Sequence, residues 1–110
     1  MVLYSKISLE TLANLVNALQ RGKFMYDEDF AIKYKNEMLH YFDGKIGLMG
    51  KPISKRKFAR YKKYKVHYIR YKRKSSSTNW YAYYISKNEN YLVIKIANNH
   101  TDHAALKGLL

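Results

Sequence analysis

The spacing of apolar residues divides the chain near Pro52 into a helical first part and a strand-rich second part. Before Pro52, apolar side chains recur every three or four residues, which is the period of an amphipathic helix. After Pro52, tyrosine, valine and isoleucine come in short runs, as is typical of strands. The change of period predicts that the chain builds helices first and most of its sheet afterwards.

Two helices are predicted after a short strand over Val2 to Ile7. Ser8 suits the N-cap of the first helix and Gly22 its end. Asp27 to Asp29 put acidic groups where the dipole of a second helix favours them, and Gly44 ends that helix. The predicted apolar stripes are Leu9, Leu12, Ala13, Leu15, Val16 and Leu19 in the first helix, and Phe30, Ala31, Tyr34, Met38, Tyr41 and Phe42 in the second. Because only a few residues separate the two helices, they are predicted to form a helical hairpin.

Three further strands are predicted beyond a connector at residues 44–52, which holds three glycines and the only proline. They are Tyr61 to Tyr71, with room for a bulge, Trp80 to Ile85 and Tyr91 to Ala97. Trp80 to Ile85 is apolar on both faces, which predicts a central strand. Lys87 to Asn90 turns the chain, and the final ten residues are compatible with a short helix.

The predicted order is β-α-α-β-β-β. It indicates an α+β fold, with the helical hairpin packed on one face of a mainly antiparallel four-stranded sheet. The 110 residues fit one domain over residues 1–110, and neither a repeat nor a linker divides them.

Charge is the first feature that points to function. Lysine and arginine number 21 against 8 acidic residues, which gives a formal net charge of +13. Half of the residues from Lys51 to Lys74 are basic and none is acidic. Such a local field concentrates a polyanion, and each neutralised phosphate releases a counterion. We therefore expect a polyanionic partner, with RNA preferred; the alternative is a solvated pair of strands with outward lysines.

Tyrosines interleave with these cations at Tyr61, Tyr64, Tyr68 and Tyr71. Aromatic rings can stack bases while cations hold phosphates, although alternate tyrosines of a strand would pack into the core instead. The residues expected to bind RNA are Lys55, Arg56, Lys57, Arg60, Lys62, Lys63, Tyr64, Lys72 and Arg73.

Several classes of protein and site are disfavoured by what the sequence lacks. Without cysteine there is no disulfide or thiolate metal site, and no apolar run is long enough to span a membrane. The first residues do not resemble a signal peptide, so we expect a cytoplasmic protein. No glycine-rich phosphate loop, nucleophile elbow or pair of carboxylates is present. His100 and His103 lack an obvious third ligand, so neither a metal nor a cofactor is expected.

Three stretches, together with the order of the elements, carry a resemblance to the RelE/ParE family of bacterial toxins over nearly the whole chain. They are Tyr64 to His67, the aromatic strand Trp80 to Tyr84, and the ending Val93 to His103. Similarity to the RelE branch implies an endoribonuclease that cuts mRNA at the ribosome and is held inactive by a cognate antitoxin. The net charge of the chain favours an acidic antitoxin.

The resemblance also implies roles for individual residues. Lys65 and His67 fall where the RelE branch has two lysines that hold and polarise the RNA. His100 or His103 matches a histidine that some relatives place near the end of the chain.

The sequence departs from the RelE pattern at three places. Trp80 or Tyr81 stands where that branch has an arginine at the start of its third strand. Asn99 and His100 stand where it has another arginine, just past the last strand. The glutamate base of some relatives has no counterpart, because no glutamate lies between Glu37 and Glu89.

Metal-independent RNA cleavage needs a base for the 2′-hydroxyl, cations for the phosphorane and an acid for the 5′-oxygen. Histidine suits either proton role and arginine the phosphate. The candidate catalytic residues are His67, Arg70, His100 and His103, with Lys65 as an electrostatic helper. The alternative for each histidine is a surface residue without a role, and His40 is expected to be structural.

Two alternatives from another class remain open. One is a non-catalytic toxin of the ParE type that inhibits DNA gyrase. The other is a basic nucleic-acid-binding protein of a mobile element. A ribonuclease needs a proton-transfer residue whose loss abolishes cleavage while binding survives, and a binding protein does not.

Overall fold

The fold is described from a computed structural model for residues 1–20, 28–48, 50–52, 64–72 and 78–98. The helices are α1 (Lys6–Gln20) and α2 (Glu28–Lys45). The strands are β1 (Val2–Tyr4), β2 (Lys51–Pro52), β3 (His67–Lys72), β4 (Asn79–Lys87) and β5 (Asn90–Asn98).

The described strands form one mixed sheet in the order β1-β5-β4-β3-β2. β1 lies parallel to β5, and the other neighbours are antiparallel. The predicted α+β class, with both helices packed against a sheet, is confirmed. The predicted strand number is wrong, because the connector contributes the two-residue strand β2. Pro52 is tolerated there because β2 lies at the edge of the sheet, where a missing N–H breaks no central ladder.

The second half follows the predicted order with shifted boundaries. β4 lies in the middle of the sheet, as its apolar sequence predicted. Asn88 and Glu89 have φ angles of 51° and 65°, which makes a two-residue hairpin turn whose twist suits β4 and β5. β3 begins at His67 rather than Tyr61, because Tyr64 to Val66 have no strand pairing. Residues 61–63, Gly22 and the predicted C-terminal helix lie outside the described residues.

The first turn of α1 is bound to β5. The Val93 carbonyl accepts hydrogen bonds from Ser5 N at 2.9 Å and from Ser8 Oγ at 3.1 Å, and Ser5 Oγ donates to the Ile94 carbonyl at 3.2 Å. Ser8 N donates to Ser5 Oγ at 3.2 Å, so Ser5 is the N-cap and the prediction of Ser8 was wrong. Ser8 is instead fully buried in the helix, because its hydroxyl has a carbonyl partner on the sheet.

The main core lies between the helices and one face of the sheet. Ala31, Met38 and Phe42 of α2 are fully buried in it, as the second stripe predicted. Leu12 and Leu15 of α1 are also buried, whereas Leu9 and Ala13 are exposed because Ser8 takes the position facing the sheet. Other core members come from the strands: Ile69, Tyr71, Trp80, Ala82, Tyr84, Val93 and Ile96.

Two polar contacts hold the helical layer in place on the sheet. Trp80 Nε1 donates to the Tyr34 hydroxyl at 3.2 Å inside the core. The Tyr4 hydroxyl donates to Asp43 Oδ1 at 2.6 Å, which ties β1 to α2. Burial, followed by the contact with Asp43, raises the pKa of Tyr4 well above its ordinary value, so this phenol stays protonated as a donor.

Two glycines after α2 allow the chain to pass closely over two tyrosine rings of the sheet. Gly47 has a φ angle of 90°, and a Cβ there would lie 2.6 Å from Tyr91 Cζ. A Cβ on Gly50 would overlap the hydroxyl group of Tyr84, which is only 4% exposed. Gly44, within α2, has open space around the position of a Cβ.

We expect Gly50→Ala to destabilise the fold by about 1–3 kcal/mol, because the added methyl displaces a tyrosine held in the core. Gly44→Ala should leave stability unchanged or raise it by up to about 1 kcal/mol, since alanine favours the helix. Denaturant unfolding monitored by the fluorescence of Trp80, the single tryptophan, measures both. Equal stability of the two variants would contradict the close packing at Gly50.

Candidate nucleic-acid interface

The face of the sheet turned away from the helices carries alternating side chains of β3, β4 and β5. Ile69 and Tyr71 of β3 lie in the core beneath the helices, so Tyr68, Arg70 and Lys72 project from the opposite side. The same alternation places other residues on that side: Tyr81 and Tyr83 of β4, and Lys95 of β5. We call this side the open face.

Three tyrosine rings lie together at the centre of the open face. The ring centroids of Tyr68 and Tyr81 are 6.1 Å apart, those of Tyr68 and Tyr83 6.2 Å, and those of Tyr81 and Tyr83 6.4 Å. All three residues are partly exposed. Burial, and then the nearby phenols of Tyr81 and Tyr68, raise the pKa of Tyr83. We call this group the tyrosine platform.

Cations flank the tyrosine platform on both neighbouring strands. Arg70 lies directly opposite Tyr81 across the β3–β4 ladder, and Lys95 lies opposite Tyr83 across the β4–β5 ladder. Lys72 follows Arg70 on the same side of β3 and is exposed. The arrangement places aromatic rings and positively charged side chains next to each other on the open face.

The acidic residues of the described chain are kept away from the open face. Glu10, Glu28, Asp29, Glu37 and Asp43 lie on the helices, and Glu89 lies in the turn between β4 and β5. Within the described residues, the strands carry basic side chains and no acidic one. A polyanion near this protein therefore meets attraction on the sheet side and mixed charge on the helical side.

One end of the open face is closed by a second, smaller core. Val66, Ile85 and Ile94 are buried there, with Tyr64 and Leu92 packed against them. Lys87 Nζ lies 5.9 Å from the centre of the Tyr64 ring. Tyr64, predicted to bind RNA, thus covers this end of the sheet, and the accessible part of the face is the tyrosine platform with its cations.

The predicted catalytic residues His67 and Arg70 are not brought together. His67 lies opposite Tyr84 on the side of the helices, with the two rings stacked at 5.7 Å and an angle of 22°. Arg70 projects from the open face, and Lys65 is exposed ahead of β3.

Nine predicted site residues lie outside the described residues: Lys55, Arg56, Lys57, Arg60, Lys62, Lys63, Arg73, His100 and His103.

A cleft of about 350 Å³ lies beside the edge of β3, next to the platform. The described residues that line it are Tyr41 of α2, Lys51 of β2, Tyr68, Ile69 and Arg70 of β3, and Tyr81 of β4. Sequence reasoning missed Tyr41 and Lys51 as site residues, and it missed Tyr81, Tyr83 and Lys95. Lys51 is brought to the cleft by its pairing with Tyr68, which no local pattern indicates.

Within the described residues, no three histidine or acidic side chains are grouped so as to hold a metal ion. Of the two helices described, neither has the length and apolar character required to cross a membrane.

Comparisons with known proteins add no relative. No protein-family description, curated protein or solved structure matches this chain.

Proposed function

We propose that the open face binds single-stranded RNA and that the protein acts on mRNA as a toxin of the RelE kind. The observation that carries the binding proposal is the tyrosine platform, flanked by Arg70 and Lys95 on a face where the described strands carry no acidic residue. Rings that stack bases beside cations that hold phosphates are the usual means of binding a single strand.

The geometry favours a single strand over a duplex. Stacking on Tyr68, Tyr81 or Tyr83 needs an unpaired base, because a duplex buries the faces of its bases. A duplex would engage only the cations and leave the rings without a role.

The toxin part of the proposal rests on the resemblance and on the order of elements. Apart from the two-residue β2, the described chain follows the β-α-α-β-β-β order, with two helices against one face of the sheet. In this proposal Arg70 holds the scissile phosphate, and His100 or His103 transfers the proton. The 2′-hydroxyl loses its proton and attacks phosphorus, and the 5′-oxygen leaves with a proton.

The position of His67 favours a second candidate, a non-catalytic binding protein of the ParE or mobile-element type. His67 stacks on Tyr84 on the opposite side from Arg70, so the described histidines give Arg70 no proton-transfer partner. In this candidate the open face binds its target without cutting it.

The first prediction concerns binding. Arg70→Gln with Lys95→Gln should weaken binding of a short single-stranded RNA and reduce the salt dependence of log K by about 0.7 for each phosphate that is no longer neutralised. Tyr81→Leu should cost about 1–3 kcal/mol of binding free energy, whereas Tyr81→Phe, which keeps the ring, should cost much less. Fluorescence anisotropy over a salt series measures both effects.

The matched control is Lys33→Gln with Lys45→Gln, which removes two exposed charges from α2 on the other layer. If this control reduces RNA affinity and the salt dependence of log K as much as the open-face pair does, binding depends only on the total charge of the protein. If Tyr81→Leu binds as well as Tyr81→Phe, the platform does not stack bases.

The second prediction concerns cleavage. His100→Gln with His103→Gln should lower the rate of RNA cleavage by about a hundredfold or more and leave RNA binding nearly unchanged. The product should end in a 2′,3′-cyclic phosphate, and chelators should have no effect. Cleavage should be followed with and without ribosomes. Undiminished cleavage in the double variant would reject these histidines, and absence of cleavage in both settings would favour the binding protein.

The third prediction concerns the cell. Expression of the protein alone should arrest growth, and co-expression of a cognate acidic antitoxin should restore it by covering the basic face. The Arg70→Gln, Lys95→Gln variant, expressed to the same level, should be harmless. Normal growth at a verified level of the unaltered protein would contradict the toxin proposal.

A further inference from the structure

We propose that the cleft beside β3 binds one nucleotide of the RNA, with its base against the tyrosine rings and its phosphate between Lys51 and Arg70. The inference rests on the proposed function, because it specifies how a strand on the open face is held at the edge of the sheet. It adds a contact that the tyrosine platform alone does not provide, a pocket for a single base.

The aromatic walls of the cleft are held in position before any ligand binds. The Tyr41 ring lies 5.1 Å from the Tyr71 ring and 6.1 Å from the Phe42 ring, and both of those residues are buried. On the other side, Tyr68 and Tyr81 support each other at 6.1 Å. Rings that are already ordered lose little conformational entropy when a base packs on them.

The two cations of the cleft share one side of the sheet. Lys51 is the register partner of Tyr68, and Arg70 follows Tyr68 by two residues on the same side of β3. Lys51 and Arg70 are therefore diagonal neighbours across the β2–β3 ladder, at a separation that long side chains can span. Arginine offers a two-pronged contact and lysine a point charge, which together suit one phosphate group.

The edge of β3 gives the base polar partners. β2 pairs only with His67 and Tyr68, and no other described strand lies beside β3 from Ile69 onward. In an antiparallel ladder the N–H and C=O groups of successive residues point alternately to the two sides of a strand. Either Ile69 or Arg70 therefore directs a donor and an acceptor toward the cleft. A nucleobase carries complementary donors and acceptors along its edge.

The size of the cleft agrees with a single nucleotide. Its volume of about 350 Å³ lies at the lower end of the range for small-molecule sites, about 300–1,000 Å³. Among the described residues, the cleft is lined by three tyrosines, one isoleucine and two cations, and by no acidic residue.

The test is an NMR titration of the full chain with the four nucleoside 5′-monophosphates, their four nucleosides and ribose 5-phosphate. At least one monophosphate should bind about tenfold more tightly than ribose 5-phosphate and than its nucleoside, with shifts at Lys51, Ile69 and Arg70. Lys51→Ala should weaken that binding about fivefold or more, whereas Lys33→Ala, an exposed lysine on α2, should not. Tyr41→Leu should weaken it about tenfold, and Tyr41→Phe should retain it.

Should Tyr41→Leu fail to fold, the Lys51 and Lys33 pair still decides the question, since both side chains are exposed. Equal affinity for ribose 5-phosphate and every monophosphate would overturn the proposal and leave a simple basic patch. Binding unaffected by Lys51→Ala would also overturn it.

The cleft proposal and the proposed function can fail separately, and the experiments distinguish the two cases. If RNA binding depends on Tyr83 and Lys95, which lie outside the cleft lining, but no monophosphate binds, the cleft proposal is rejected and RNA binding by the open face stands. If a monophosphate binds at the cleft but RNA binding does not depend on Tyr83 or Lys95, which lie outside the cleft lining, the pocket is supported and the proposed function is rejected.

Discussion

The structure depends on the attachment of the first turn of α1 to the carbonyl groups of Val93 and Ile94. Ser5 and Ser8 satisfy these carbonyls from one side, which fixes the face of the sheet that the helices cover. The Ser8 hydroxyl is buried, so losing its partner would leave a polar group unsatisfied in the core, at a cost of about 1–3 kcal/mol. Once this face is covered, the opposite one is left for the tyrosine platform.

The same two residues lie at an irregularity that sets the direction of the side chains of β5. Tyr84 pairs with Val93 and Tyr83 with Lys95, so Ile94 is an extra residue in the ladder. Such a bulge places two consecutive side chains on one side of the strand. Ile94 therefore enters the small core of the open face, Lys95 remains on that face, and Ile96 returns to the main core. With strict alternation, Lys95 would point toward the helices.

The kinds of element could be predicted from the sequence, because they depend on local periodicity. The details that could not be predicted from the sequence depend on contacts with residues far away along the chain. Serine at either position, Ser5 or Ser8, can cap a helix. Ser8 is buried instead because its hydroxyl bonds to the carbonyl of Val93, 85 residues away. Tyr64 and Val66 have strand-like side chains, but they pack with Ile85 and Ile94 instead of pairing in a strand. The basic character of the open face was predicted, as were Tyr68, Arg70 and Lys72 as candidate residues. Tyr81, Tyr83 and Lys95 were not predicted, because an aromatic run does not indicate which rings face the helices.

The choice of tyrosine for the open face resolves a conflict between stability and self-association. A central strand such as β4 is stabilised by large side chains on both faces, yet an apolar open face would promote association of chains. Tyr81 and Tyr83 provide ring contacts to Tyr68, and their phenol rings are less apolar than those of phenylalanine. Arg70 and Lys95 add charge that keeps copies of the chain apart. In the proposed function an RNA strand neutralises these cations and stacks on the same rings, so the features that oppose self-association would also serve the binding of RNA.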